Sequence, residues 1–133
     1  MGGRRTPLRN RKVENDVRLI VAGSRTVTER RIVWGELNRL FPDSAPTIVV
    51  SGLASGPDTF GLWWAVHHGI RVDEHEALWA TEGRSAGYKR NVRMAKVADA
   101  LAAFYDGVSR GTRHMIDIAR EHDLEIRIIR KDR

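Results

Sequence analysis

Three bends in this chain pair glycine with residue types that bind anions. They are Val21-Ala22-Gly23-Ser24-Arg25, Val49-Val50-Ser51-Gly52-Leu53-Ala54-Ser55-Gly56-Pro57-Asp58 and Phe104-Tyr105-Asp106-Gly107-Val108-Ser109-Arg110-Gly111-Thr112. Each follows a short apolar run and opens a helical pattern. Glycine lets backbone N–H groups approach a ligand with no Cβ in the way. The helix start that follows aims unpaired amides and a positive dipole end at the same spot. In the first bend Ser24 offers a hydroxyl, and Arg25 a planar fork for phosphate or carboxylate. In the second, Ser51, Gly52 and Gly56 shape the turn. Asp58 there is read first as a carboxylate favoured by the helix dipole, and second as a partner for ribose hydroxyls or for Arg25. The third is the strongest. Ser109, Gly111 and Thr112 combine hydroxyls, glycine amides and a helix start into an anion nest, without the lysine that a Walker loop requires.

A fourth polar stretch, Gly83-Arg84-Ser85-Ala86-Gly87-Tyr88-Lys89-Arg90-Asn91, precedes another helical pattern. Lys89 and Arg90 suit phosphate, Asn91 suits a base edge or a loop strut, and Trp79 just upstream suits stacking or packing. Cations at a helix start oppose its dipole, and such local conflicts are expected at functional sites. His114 reads as a helix-surface residue rather than a base. His67 and His68 are adjacent on a helix and cannot share one metal, so neither a metal site nor a cofactor is expected.

These residues need a scaffold that brings distant bends together. At 133 residues the chain is expected to form a single domain over 17–133, preceded by a flexible basic arm over 1–16. Hydrophobic content of 41% with 30% charged residues describes an ordinary globular protein. No apolar run is long enough to span a bilayer, and no secretory signal pattern is visible. With no cysteine, a disulfide framework and a thiolate zinc site are excluded, and a cytoplasmic setting is expected. The net charge of +6 is held at the ends: residues 1–16 carry +3 and residues 127–133 another +3, which leaves 17–126 neutral. Solubilising termini are therefore favoured over a nucleic-acid-binding face.

Strands are expected at Val17–Ala22, Thr47–Ser51, Ile70–Ala77, Ala98–Tyr105 and Leu124–Ile129. Helices are expected at Thr28–Leu40, from Pro57 to a Gly69 terminator, at Ser85–Val97 and at Gly111–His122. Thr28 stands where a cap belongs, although Arg31 occupies the register of a capping-box glutamate. Near-continuous apolar strands alternating with helices indicate an α/β fold, a Rossmann-like doubly wound parallel sheet of about five strands. In the order 3-2-1-4-5 the first and fourth strands lie side by side. Their glycine bends then fall at the switch point, where such sheets bind ligands. The helix from Pro57 is apolar on two sides. Leu62, Ala65 and Val66 are assigned to the sheet, while Phe60, Trp63, Trp64 and His67 form a second stripe. That stripe is read as a homodimer interface.

Taken together, the motifs resemble the SLOG superfamily, specifically its YspA (cpYpsA-related) branch. The resemblance is carried by Gly23-Ser24-Arg25, Ser51-Gly52…Gly56-Pro57-Asp58, Trp79…Ala86-Gly87…Arg90-Asn91 and Ser109-Arg110-Gly111-Thr112, over about residues 17–130. It implies a nucleotide or nucleotide-derived ligand that is sensed or processed. The related Lonely Guy (lysine-decarboxylase-like) enzymes hydrolyse nucleoside 5′-monophosphates with an arginine and a glutamate. Arg90 falls at the place of that arginine, but Met115 stands where the glutamate would be. Ser55 likewise replaces an arginine usual in the branch. The expectation is thus a binding or sensor domain, with Gly23, Ser24, Arg25, Ser109, Gly111 and Thr112 on the phosphate and Arg90 and Asn91 closing over it. Alternatives are an N-glycosidic hydrolase using Arg90 and a relocated carboxylate such as Asp58 or Asp106, and a single-stranded nucleic-acid binder helped by the basic ends.

Overall fold

The computed structural model describes residues 16–131. The arm expected over 1–16 lies outside the described residues apart from Asp16, as do the last two residues of the basic C-terminal stretch. In chain order the elements are β1 (Arg18–Gly23), α1 (Arg30–Leu40), β2 (Ile48–Ser51), α2 (Pro57–His67), β3 (Arg71–Glu74), α3 (Trp79–Glu82), α4 (Ala86–Val97), β4 (Ala100–Tyr105), α5 (Arg110–Glu121) and β5 (Glu125–Arg130). A 3-10 turn over Gly83–Ser85 joins α3 to α4. All four strand pairings are parallel, in the order β3-β2-β1-β4-β5. This is the α/β, Rossmann-like arrangement that the alternation of elements predicts.

The strands read as apolar runs because both faces are covered. Leu19, Val21, Val49, Ala102 and Phe104 belong to the core under α1 and α2, together with Val33, Leu37, Leu40, Trp64 and Ala65. The alternate residues Ile20, Ala22, Val50, Leu101 and Ala103 face α4 and α5 through Met94, Ala95, Met115, Ile116 and Ala119. Period-two alternation along each strand thus builds two separate cores. The buried positions Thr112, Met115, Ile116 and Ala119 follow the helical spacing that makes α5 amphipathic.

Four details depart from the sequence reading. α1 starts at Arg30, with Glu29 rather than Thr28 at the cap and no side-chain cap bond. β3 is confined to Arg71–Glu74, and its chain makes one last rung, His75 N–H to the Ser51 carbonyl at 2.8 Å, before leaving the sheet. α3 was not anticipated, since four residues carry too little periodicity to register. On α2 the inward face is Pro57, Asp58, Gly61, Trp64 and Ala65. Trp64 is 2% exposed and donates its indole N–H to Asn38 Oδ1 at 2.9 Å, whereas Val66 is 67% exposed. Trp64 is therefore a core residue and unavailable to the interface assigned to it; Trp63 remains half-exposed.

Candidate functional site

β1 and β4 are adjacent, and the chain leaves them in opposite directions, through α1 to β2 and through α5 to β5. The gap beyond their carboxyl ends is the switch point of a doubly wound sheet. A cavity of about 650 Å³ opens there, lined by the bends after β1 and β2, by α3 and α4, and by the first turns of α5. Of the residues singled out from sequence, Gly23, Arg25, Gly52, Asp58, Trp79, Arg90, Asn91, Ser109, Gly111 and Thr112 line it. Ser24, Ser51 and Gly56 do not; they hold the walls.

Ser24 is 1% exposed. Its hydroxyl lies 3.2 Å from Thr112 Oγ1 and accepts the Asp106 N–H at 3.1 Å, so it ties the β1 bend to the β4 bend. This hydroxyl is thus engaged within the protein, between the two bends. Gly23 has a similar task. A Cβ there would collide with the Phe104 carbonyl oxygen and meet Pro57 Cγ at 2.7 Å, so only glycine lets β1, β4 and α2 converge at this point. The Ser51 hydroxyl accepts the Leu53 N–H at 3.2 Å, which turns the chain back after β2. Gly56 caps α2 with φ of +85°.

Asp106, considered from sequence only as a relocated carboxylate, anchors the third bend. One oxygen accepts the N–H groups of Val108 and Ser109 at 2.9 and 2.8 Å, and the other accepts the Thr26 hydroxyl at 2.8 Å. The Val108 amide bond first, with those of Thr26, Ser109 and Ser24, outweighs burial and holds this carboxyl at about 2. Asp106 fixes the bend and leaves the later amides of α5 open. Ser109 at the N-cap makes no side-chain cap bond. A Cβ on Gly111 would meet nothing within 4 Å. Free amides and two hydroxyls at one helix start form a ready anion seat.

Asp58 is 4% exposed, in the first turn of α2. Burial pushes its carboxyl up to about 7, against the pull of the Arg90 guanidinium and of the Ala54, Gly23 and Asp58 amides. Arg90 reaches across from α4, donates Nη1–H to the Gly52 carbonyl at 2.9 Å, and leaves Nε buried without a partner among the described residues. Burial also disfavours its charge, which Asp58 supports and Arg93 opposes. A Cβ on Gly52 would sit 3.0 Å from both Arg90 Nε and Asp58 Oδ2, so glycine keeps these two groups neighbours. Beside them, Leu53 adopts φ of +63° and is exposed. A branched side chain held in the left-handed region is a mark of functional walls. Nothing in the sequence flags it.

The remaining wall comes from α3 and α4. Trp79 is 61% exposed, its ring edge 3.5 Å from where a Gly87 Cβ would be. Arg84, Tyr88 and Met94 join it on the cavity, while Lys89 is exposed and does not line it. Met115, at the position of the missing glutamate, is 1% exposed and lines the cavity with an apolar surface. With Arg25, Arg84 and Arg90 against Glu76 and a nearly half-neutral Asp58, the cavity carries net positive charge. Among the described residues no cluster of His, Asp or Glu could hold a metal ion, and no helix is long and apolar enough to cross a membrane.

Comparison with known proteins agrees with this geometry. A family model described as YspA, cpYpsA-related SLOG family matches residues 17–81, from β1 into α3. The Gene 61 protein of Mycobacterium phage D29 is 34% identical over 116 residues, covering 82% of this chain and 93% of that protein. No solved structure gives a significant match.

Proposed function

The chain belongs to the YspA, cpYpsA-related SLOG family, and from that premise we propose that it binds a nucleotide-derived ligand, phosphate inward, in the cavity between the β1 and β4 bends. Family membership supports a nucleotide-related ligand on a Rossmann-like sheet. The phosphate assignment rests on the open start of α5, where Gly111 faces empty space beside the uncapped Ser109 hydroxyl. Arg25 and Arg90 supply charge from two other bends, and donors converging from separate elements suit a polyvalent anion. Trp79 and Tyr88, exposed along the same cavity, offer flat surfaces for a base.

The test is isothermal titration with AMP, GMP, CMP and UMP against the native protein, Arg25→Ala and Thr112→Ala. Both substitutions should weaken binding about tenfold while the unfolding midpoint stays within a few degrees. Unchanged affinity in both variants removes the site.

One observation favours a second reading. Asp58, buried, beside Arg90 and held at about 7, has the proton affinity of an acid–base group working at neutral pH. In that reading the protein hydrolyses the N-glycosidic bond of the bound nucleotide. Chromatography for free base after incubation with the same four nucleotides decides it, and absence of turnover at high protein concentration ends it.

A further inference from the structure

Asn91 is 3% exposed and lines the cavity from α4. Its Nδ2 donates to the Gly111 carbonyl at 3.4 Å and lies 3.1 Å from His114 Nδ1. A carbonyl can only accept, so the amino end of the amide must face Gly111; the flipped amide would set two oxygens against each other. His114 Nδ1 must then be an acceptor, with the proton on Nε2. The ring lies against Tyr88, centroids 4.3 Å apart and tilted by 36°, and its partial burial lowers its proton affinity, which leaves that lone pair unprotonated to accept from Asn91. Among the described residues Asn91 Oδ1 has no hydrogen-bond partner, and it is not sealed from solvent. It opens on the cavity.

We propose that Asn91 selects a hydroxylated sugar, with Oδ1 accepting a ligand hydroxyl, and that His114 is the positioning residue that holds the amide in this sense. The inference rests on the phosphate reading above. Asn91 is hydrogen-bonded to the very turn of α5 that would seat the phosphate, and the group next to phosphate in a nucleotide is its sugar. The neighbouring lining groups Arg25, Arg90, Ser109 and Thr112 supply donors. An acceptor locked among them calls for a donor on the ligand, and a ligand that lacks one leaves a desolvated oxygen unpaired.

The experiment is titration of the native protein with AMP, GMP, CMP and UMP and with their 2′,3′-dideoxy counterparts. Ribonucleotides should bind about tenfold more tightly than the dideoxy forms. In Asn91→Leu the ribonucleotide and dideoxy affinities should become equal, whatever their common level. His114→Phe, which keeps a ring against Tyr88 but offers no acceptor, should lose most of the discrimination. His114→Asn, which can place an oxygen where Nδ1 lies, should retain it, a pattern that a merely structural role would not produce. Should Asn91→Leu fail to fold, the two His114 variants decide alone. Equal binding of ribo and dideoxy forms to the native protein overturns this inference and leaves the phosphate site standing. Equal discrimination in His114→Phe and the native protein overturns the role of His114. If no ribonucleotide binds, the phosphate reading falls and takes the inference with it.

Discussion

Replacing Asp58 with asparagine should stabilise the protein near pH 8 and change it little near pH 4. The carboxyl has an ordinary value of 3.8 in the unfolded chain and about 7 in the fold, because burial outweighs Arg90 and three backbone amides. A folded-state value above the unfolded one means that the native protein holds the proton more tightly. Stability from this group is fully present below pH 3.8 and is lost as pH rises to about 7. At about 1.4 kcal/mol per pH unit, the gap amounts to about 4 kcal/mol of instability that the ionised side chain imposes at alkaline pH. Asparagine, nearly the same shape and never charged, escapes that cost. Urea unfolding of both proteins, followed by tryptophan fluorescence at steps between about pH 4 and pH 8, measures it. With an m-value of about 2 kcal/mol per molar, the variant's midpoint should move from near the native value to about 2 M above it. Comparing the proteins at each pH cancels every other titrating group. A midpoint difference that stays flat with pH, or that turns against the variant as pH rises, would show that Asp58 is not held neutral by burial. The same variant should lose ligand affinity or turnover, since a destabilising buried charge persists where function requires it.

Other consequences follow from the same geometry. Asp106→Ala removes the hydrogen bonds that Val108, Ser109 and Thr26 give to one carboxylate and should cost about 1–3 kcal/mol. Because Asp106 is held at about 2, its contribution is present above pH 3.8 and fades as pH falls toward 2, so the loss measured near pH 7 should shrink in acid; equal loss at both would refute the assignment. Gly23→Ala drives a Cβ into the backbone of Phe104 and should lower stability by about 1–3 kcal/mol, whereas Gly111→Ala, with open space around it, should fold normally and reduce affinity for AMP. Should both variants unfold at the native midpoint, the close approach at Gly23 is not what demands glycine. The stripe of α2, without Trp64, retains Phe60, Trp63 and His67, and Val66, found exposed rather than against the sheet, joins it; we propose that a second copy covers it. Light scattering should then report a dimer that Trp63→Glu converts to a monomer, and a native monomer at micromolar concentration would dispose of the interface.

Much of this protein is written locally. Short, near-continuous apolar runs mark the strands, three of them followed by glycine bends, and crossovers between parallel strands leave few arrangements. The β3-β2-β1-β4-β5 order and the convergence of Gly23, Arg25, Gly111 and Thr112 on one cavity were accordingly legible in residue order alone. The face of α2 was not. Phe60, Leu62, Trp63, Trp64 and Val66 leave it apolar on more than one side, and the packing of Gly61 on Val21 with the Trp64–Asn38 bond turns Trp64 inward and Val66 outward. Division of labour within the bends was hidden for a related reason. Ser24 and Thr112 are 88 residues apart, and Thr26 and Asp106 are 80 apart; whether a hydroxyl meets a ligand or another side chain depends on the β1–β4 register. Asp58 owes its retained proton to burial that its own sequence neighbourhood does not reveal. Periodicity reports which residues lie on one side of one element, while burial, strain and proton affinity arise from what a different element brings against that side.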